Sequence, residues 1–138
     1  MMKLFFVARK RSHACGAVAL LLAGLAWAAA DANEVALAEA GKKQFIRCSG
    51  CHALSADAPA MFGPHLEGIV DRRAGSVEGY AYTEPSLRDQ TFVWDEAYFD
   101  EWLEHPQAHY PGMCMPYTGL SNPEIRKALI AYLKRPAP

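Results

Sequence analysis

Residues 48–52 read Cys-Ser-Gly-Cys-His. Two thiols three residues apart, with an imidazole directly after the second, leave few options for the domain around them. What the thiols do depends first on their compartment. Met1 to Arg11 carries Lys3, Arg9, Lys10 and Arg11 and no acid, and Ala14 to Ala30 carries no charge. Small residues then offer A-x-A cleavage sites, Ala28-Ala29-Ala30 and Ala30-Asp31-Ala32. This is the layout of a bacterial secretory signal over residues 1–30, with residues 31–138 as the mature domain. A retained membrane anchor is the alternative, because 17 uncharged residues reach the short end of a membrane span. On either reading residues 31–138 lie outside the cytoplasm, in the periplasm of a Gram-negative bacterium.

Cys15 belongs to the signal, which leaves Cys48, Cys51 and Cys114. An odd number in an oxidising compartment argues against a simple disulfide framework. Two cysteines committed to another purpose, plus one buried thiol, fit better. The chain has 14 basic and 15 acidic residues; four of the basic ones sit in the signal, so residues 31–138 keep 10 against 15, a net charge of −5. No basic patch is left for a nucleic acid. A domain of 108 residues makes a small core, and chains of this size gain from a cofactor.

The elements read as all-α. A helix is expected from about Val35 into the cysteine motif, with Ala38, Gly41 and Phe45 on one face. Gly41 in mid-helix costs about 1 kcal/mol against alanine, which close approach of another helix would explain. Residues 53–93 are punctuated by Gly63-Pro64, Gly68, Gly75, Gly79 and Pro85. So long an irregular stretch is easier to understand if it wraps a large non-protein object. A short helix is expected from Pro85. Another follows Asp95, with Phe99, Trp102 and Leu103 as its apolar face and Pro106 past its end. The last has capping-box spacing at Ser121 and Glu124, Pro123 near its start, and a stripe of Ile125, Ala128, Leu129 and Tyr132. No strand is expected.

Three chemistries compete for the motif. A thioredoxin-like pair needs a preceding strand and a βαβ pattern, which are missing. A zinc site needs four ligands, usually as a second paired set, and Cys114 stands alone. Covalent haem attachment has C-x-x-C-H as its signature, each thiol adding across a vinyl group and the histidine binding iron. Export favours the last. For the other axial position Met61, Met113, Met115, His65, His105, His109 and Cys114 are all open.

The order of motifs resembles a class I c-type cytochrome, close to mitochondrial cytochrome c and its bacterial relatives, over residues 41–134. "GKKQFIRCSGCH" resembles that family's first helix and haem motif, "GPHLEGIVDRRAG" its Gly-Pro-x-Leu loop and "GYAYT" its tyrosine loop. "WDEAYFDEWLEHPQAHYPGMCM" follows its tryptophan-to-methionine stretch, and "LIAYLK" its final helix. The resemblance implies three to five helices wrapped around one haem c, held by Cys48 and Cys51. It implies His52 and Met115 as iron ligands, the latter from the Pro-Gly-x-x-Met pattern. It implies that the Pro64 carbonyl accepts the His52 N–H, and that Arg72, Tyr82 and Trp94 supply donors to the haem propionates. Gly41, Phe45, Leu129 and Tyr132 resemble the contact where the terminal helices cross. Gln107, Ala108 and Cys114 stand where the family often has lysines, so docking is expected to be less charged and weakly salt-dependent. Trp102 stands where many relatives have a tyrosine near the methionine sulfur.

The expected function is that of a one-electron carrier, not an enzyme, cycling between ferric and ferrous iron in a respiratory or photosynthetic chain. Its partners would be redox proteins: a dehydrogenase or cytochrome complex as donor, a terminal oxidase as acceptor. A monomer is expected, with membrane contact only if the N-terminal segment is retained. A fixed haem subunit of a larger oxidoreductase is the alternative, followed by a haem peroxidase or sensor. Cys114 has three readings: a small loop residue, a thiolate that displaces Met115, or an intermolecular disulfide.

Overall fold

The computed structural model describes residues 14–89, 91–111 and 113–136. The first thirteen residues of the expected signal lie outside that range. The chain divides into two compact units, Met1–Asn33 and Glu34–Pro138. Helix α1 (Ala14–Gln44) begins in the first. It starts well before the expected Val35, because the alanine- and leucine-rich stretch has the highest intrinsic helix propensities. It also stops sooner than expected, and Phe45–Arg47 tighten into a 3₁₀ turn. No helix of the described residues is long and apolar enough to cross a membrane.

The second unit is helical. After α1 come α2 (Pro85–Arg88), α3 (Glu96–Glu104), α4 (Pro106–His109) and α5 (Pro123–Lys134). Among the described residues there is no strand, only an isolated antiparallel bridge between Arg73 and Val93. Residues 53–84 run as turns and bends. They are tied down at Asp71 N–H to Trp94 O (2.8 Å), Trp94 N–H to Arg72 O (2.9 Å) and Ala74 N–H to Phe92 O (2.9 Å).

The helix ends follow local chemistry. The Asp95 carboxylate accepts the Tyr98 N–H at 2.9 Å and caps α3, as its position suggests. Pro106 ends α3 and opens α4, since it has no N–H to donate backwards. At α5 the cap is Asn122, not Ser121. Its side-chain oxygen accepts from Glu124 N–H (2.9 Å) and Ile125 N–H (3.4 Å). Proline as the first helical residue makes its predecessor the cap, and asparagine serves there as well as serine.

The core forms where α3 and α5 meet α1. Phe99, Trp102 and Leu103 of α3 are buried against Leu129, Ile130, Tyr132 and Leu133 of α5. Phe45 and Tyr132 pack with ring centroids 5.7 Å apart. The α1–α5 crossing accounts for Gly41. A Cβ there would run into the Ala128 carbonyl and lie 2.8 Å from Tyr132 Cβ. Arg126, missed by the apolar stripe, is 5 % exposed in the same layer. Its guanidinium forks onto Asp100 (2.9 and 3.1 Å) and donates to the Leu120 (2.8 Å) and Ser121 (3.1 Å) carbonyls. It thereby pins the 110–121 loop to α3.

Candidate functional site

The turn after α1 explains the spacing of the cysteine motif. Cys48 N–H and Ser49 N–H both reach the Phe45 carbonyl, and Cys51 N–H and His52 N–H both reach the Cys48 carbonyl, at 2.8–3.0 Å. The chain therefore winds through a helical turn. Positions 48, 51 and 52 share one side of it. Cys48 is half-buried and Cys51 exposed, and both are free thiols; Cys114, expected to be buried, is also free but exposed, because it lies in the loop outside the core. Burial pushes the Cys48 thiol up, with Arg47 opposing part of the shift. That is the reverse of the lowered value a dithiol redox catalyst needs. Among the described residues no three His, Cys, Asp or Glu side chains gather to hold a metal ion.

His52 is held from its far side. Its Nδ1–H donates to the Pro64 carbonyl at 2.8 Å. The proton on Nδ1 leaves the Nε2 lone pair available. Burial lowers the imidazole below its ordinary value, and the bond to Pro64 offsets part of that. A neutral ring is the form that binds iron. Gly63 passes over the ring so closely that its own Cβ would lie 2.6 Å from Nδ1 and 2.8 Å from Nε2. Gly63 N–H to Cys51 O and Leu66 N–H to Ala53 O, both 2.8 Å, fasten this loop to the motif. The resemblance put Gly63 in a Gly-Pro-x-Leu loop; its place against the imidazole appears only in the fold.

The other expected residues lie in three loops. Arg72 donates to the Glu67 (2.7 Å) and His65 (3.0 Å) carbonyls, which shapes the loop it belongs to and leaves further N–H donors. The Tyr82 hydroxyl accepts from Val77 N–H at 3.4 Å and keeps its own proton to give. It lies within electrostatic reach of Arg72. Trp94 is buried among Phe92, Tyr98, Phe99 and Trp102, with centroids 4.7–5.8 Å away. It is both core and a neighbour of Arg72. Met113 and Met115 pack, half-buried, against the core that Cys48 also touches. Gln107 Nε2–H donates to the Met115 carbonyl (2.9 Å) and sits 3.4 Å from that of Met113. No spacing rule in the sequence points to that role. Leu120 N–H to Leu103 O (2.9 Å) closes the loop on α3. Of the rival ligands, His109 faces Glu101 at 3.8 Å, His105 is exposed and Met61 is 38 % exposed.

Whether these residues fit a haem can be tested on the polar atoms left over. Among the described residues three buried side-chain atoms have no partner: His65 Nδ1, Trp102 Nε1 and Tyr117 Oη. Each costs about 1–3 kcal/mol if it stays unsatisfied. Tyr117 follows Met115 by two residues and lies close enough to Cys48 and Arg47 to feel their charge. Burial pushes its phenol up to about 12. The methionine loop and the cysteine motif therefore lie near each other, and buried polar atoms are left without protein partners. Two thiols on one turn, an imidazole with a free Nε2, a thioether and these unpartnered polar atoms fit a haem.

A helical domain built around such a turn belongs to the class of small c-type haem proteins. Residues 38–135 match the Cytochrome c family, and the chain belongs to it. Family membership implies a covalently bound haem c. The chain is 38% identical over 97 residues to cytochrome c2 of Rhodoblastus acidophilus, covering 70% of this chain and 90% of the relative. It is 37% identical over 117 residues to cytochrome c-554 of Methylosinus trichosporium (83% and 88% covered). It is likewise 37% identical over 97 residues to cytochrome c-550 of Nitrobacter winogradskyi (70% and 88%).

Proposed function

We propose that this protein is a monohaem electron carrier. One haem c is attached through Cys48 and Cys51, its iron is ligated by His52 and Met115, and it serves a periplasmic electron-transport chain as a redox protein, not an enzyme. The observation that carries this reading is the His52–Pro64 bond of 2.8 Å, which commits Nδ1 and leaves Nε2 as the ligand. When bound, the haem supplies an iron that gains and loses one electron. The chain's own part is to hold the ligands still. Pro64 and Gly63 fix the His52 ring, and Gln107 holds the Met115 carbonyl. A neutral, soft thioether favours the ferrous state and closes the iron to substrates, which suits a carrier and not a peroxidase. Arg72, Tyr82 and Trp94 are the proposed donors to the propionates, whose buried charge needs such partners. The bacterial cytochromes c2, c-554 and c-550 among its relatives, together with the secretory layout of residues 1–30, support a periplasmic place.

Optical spectra of the holoprotein test the ligation. The ferric protein should show the sulfur-to-iron band at the red edge of the visible, and the ferrous protein should not bind carbon monoxide. Met115→Ala should lose the band and bind carbon monoxide. An unchanged spectrum in that variant would rule out the methionine.

A further inference from the structure

A row of aromatic side chains in contact runs from the core to the surface. Trp102 is buried, and its indole N–H is one of the polar atoms without a protein partner. Its ring lies 5.1 Å from that of Trp94, and Trp94 lies 5.8 Å from Tyr98. The Tyr98 and Tyr110 hydroxyls then share a hydrogen bond of 2.7 Å. Phe92 packs along the row, 4.7–5.8 Å from Trp94, Tyr98 and Tyr110. These are ordinary distances for paired aromatic rings. Trp94 and Trp102 are buried while Tyr98 and Tyr110 are half-buried, so the row has an inner end and a solvent end. Packing alone asks only for rings. It does not ask for two hydroxyls joined to each other, since phenylalanine would fill the same space.

Indole and phenol rings give up one electron more readily than a phenyl ring does, and contact keeps each transfer short. A phenol that loses an electron becomes a strong acid, so it needs a proton acceptor already in place. The Tyr98–Tyr110 bond supplies one whichever hydroxyl donates. Charge favours this site. The Asp95 carboxylate accepts the Tyr98 N–H at 2.9 Å, and Glu101 stands 3.8 Å from His109, whose ring is edge-on to Tyr98 at 5.7 Å. Carboxylates nearby stabilise the positive charge that a departing electron leaves. Of the other acids on α3, Asp100 and Glu104 are offset by Arg126, and Glu96 by Lys134. Tyr80 and Tyr82 also touch, with centroids 4.8 Å apart. Tyr82, however, lies within reach of the Arg72 charge, which opposes oxidation, and the Tyr80 hydroxyl donates to the Phe62 carbonyl, an oxygen too weakly basic to keep the proton.

We propose that Trp102, Trp94, Tyr98 and Tyr110 form a relay through which the ferrous haem disarms small one-electron radical oxidants that strike this face. The proposal rests on the electron-carrier reading above, which supplies the ferrous electron, and on Trp102 bordering the haem. The radical takes one electron from the donating phenol of the pair and leaves as its anion. That phenol's O–H bond breaks, its proton moves to the other hydroxyl, and the pair gives one proton to water. One electron then passes from ferrous iron through Trp102 and Trp94 to the phenoxyl. A proton returns from water and the O–H bond is remade. The net change is one iron oxidised from ferrous to ferric and one radical reduced, with the protein unaltered.

Carbonate radicals from pulse radiolysis of bicarbonate solution, in less than one equivalent, test this on the holoprotein. Every chain carries Cys114→Ser, so that the exposed thiol does not compete. The ferrous protein should lose its ferrous absorbance in a first-order phase whose rate is independent of protein concentration. Tyr98→Phe/Tyr110→Phe keeps the rings and should lose that phase, leaving only slower oxidation by direct attack. Tyr80→Phe removes a phenol outside the row and should keep it. A second measurement needs no substitution in the row. The ferric protein has no electron to return, so oxidation products should collect on Tyr98 and Tyr110 in peptide mass maps, and the ferrous protein should leave both intact. A first-order phase that survives in the double variant, its loss in Tyr80→Phe, or ferric-state products that fall elsewhere would each overturn the relay. A ferrous haem that binds carbon monoxide, while the phase and the mass maps come out as expected, would refute the carrier reading and uphold the relay.

Discussion

Replacing Gly63 by alanine tests the site through a single methyl group. The new Cβ would fall 2.6 Å from His52 Nδ1 and 2.8 Å from Nε2, where ordinary contact begins at 3.4 Å. Cε1 lies nearer still, so the imidazole must withdraw by roughly 1 Å, since closer approach is strongly repulsive. Withdrawal stretches the Nδ1–Pro64 bond from 2.8 Å to beyond hydrogen-bonding range. If the loop moves instead, the Gly63–Cys51 bond is strained in its place. Overpacking costs about 1–3 kcal/mol and the lost bond about 0.5–1.5 kcal/mol, while alanine gains about 0.4–1 kcal/mol by restricting the unfolded chain. Gly63 is not among the positive-φ residues, so no backbone strain adds to this. The net expectation is a loss of about 2–3 kcal/mol. Guanidinium unfolding of the ferric holoprotein, followed by tryptophan fluorescence, measures it. If His52 and Met115 both hold the iron, the sulfur-to-iron band should weaken in the same variant, because His52 is displaced. Gly50→Ala is the control: nothing lies within 4 Å of its Cβ. If Gly63→Ala unfolds with the wild type and keeps its spectrum, the loop does not clamp the imidazole as argued.

Gly41→Ala should lower stability by at least about 2 kcal/mol despite the helix propensity gained, because the obstacle is the Ala128 backbone. Thermal unfolding measures it, and the visible spectrum should stay unchanged. Trp102→Phe removes an N–H that no protein atom accepts. If that N–H serves the haem or its ligand, the midpoint potential should fall by about 40 mV, the equivalent of a hydrogen bond of about 1 kcal/mol, with stability nearly constant. A stability loss at constant potential would assign the indole to packing alone. Burial raises the Tyr132 phenol, and Glu39 adds to the rise. The folded protein then holds that proton more tightly than the unfolded chain. Its contribution is complete below about pH 10, the unfolded value, and is lost as pH rises towards the folded one. Tyr132→Phe should flatten the alkaline end of the stability–pH curve, and an equally steep decline would refute the assignment.

Much of this was open to reading because the signals are local. Cys48, Cys51 and His52 share a side because one helical turn carries them, and Asp95 caps α3 because the acceptor lies three residues from the donor. The Asn122 cap shows the limit even of local reading, since two good capping residues stood side by side and Pro123 decided between them. Arg126 and Gln107 were out of reach. Arg126 looks like a surface charge until Asp100, 26 residues away, comes back to meet it. Gln107 acquires its role only when the loop folds over α4.

The linear order of motifs was enough to establish a helical chain with a haem-attachment turn, because attachment needs only residues that one turn holds together. Closure of the crevice belongs to the folded chain. Gly63 laid on the His52 ring and the three buried polar atoms without partners both depend on loops that meet through space. Such meetings arise from packing between elements far apart in sequence, and no periodicity or spacing encodes them.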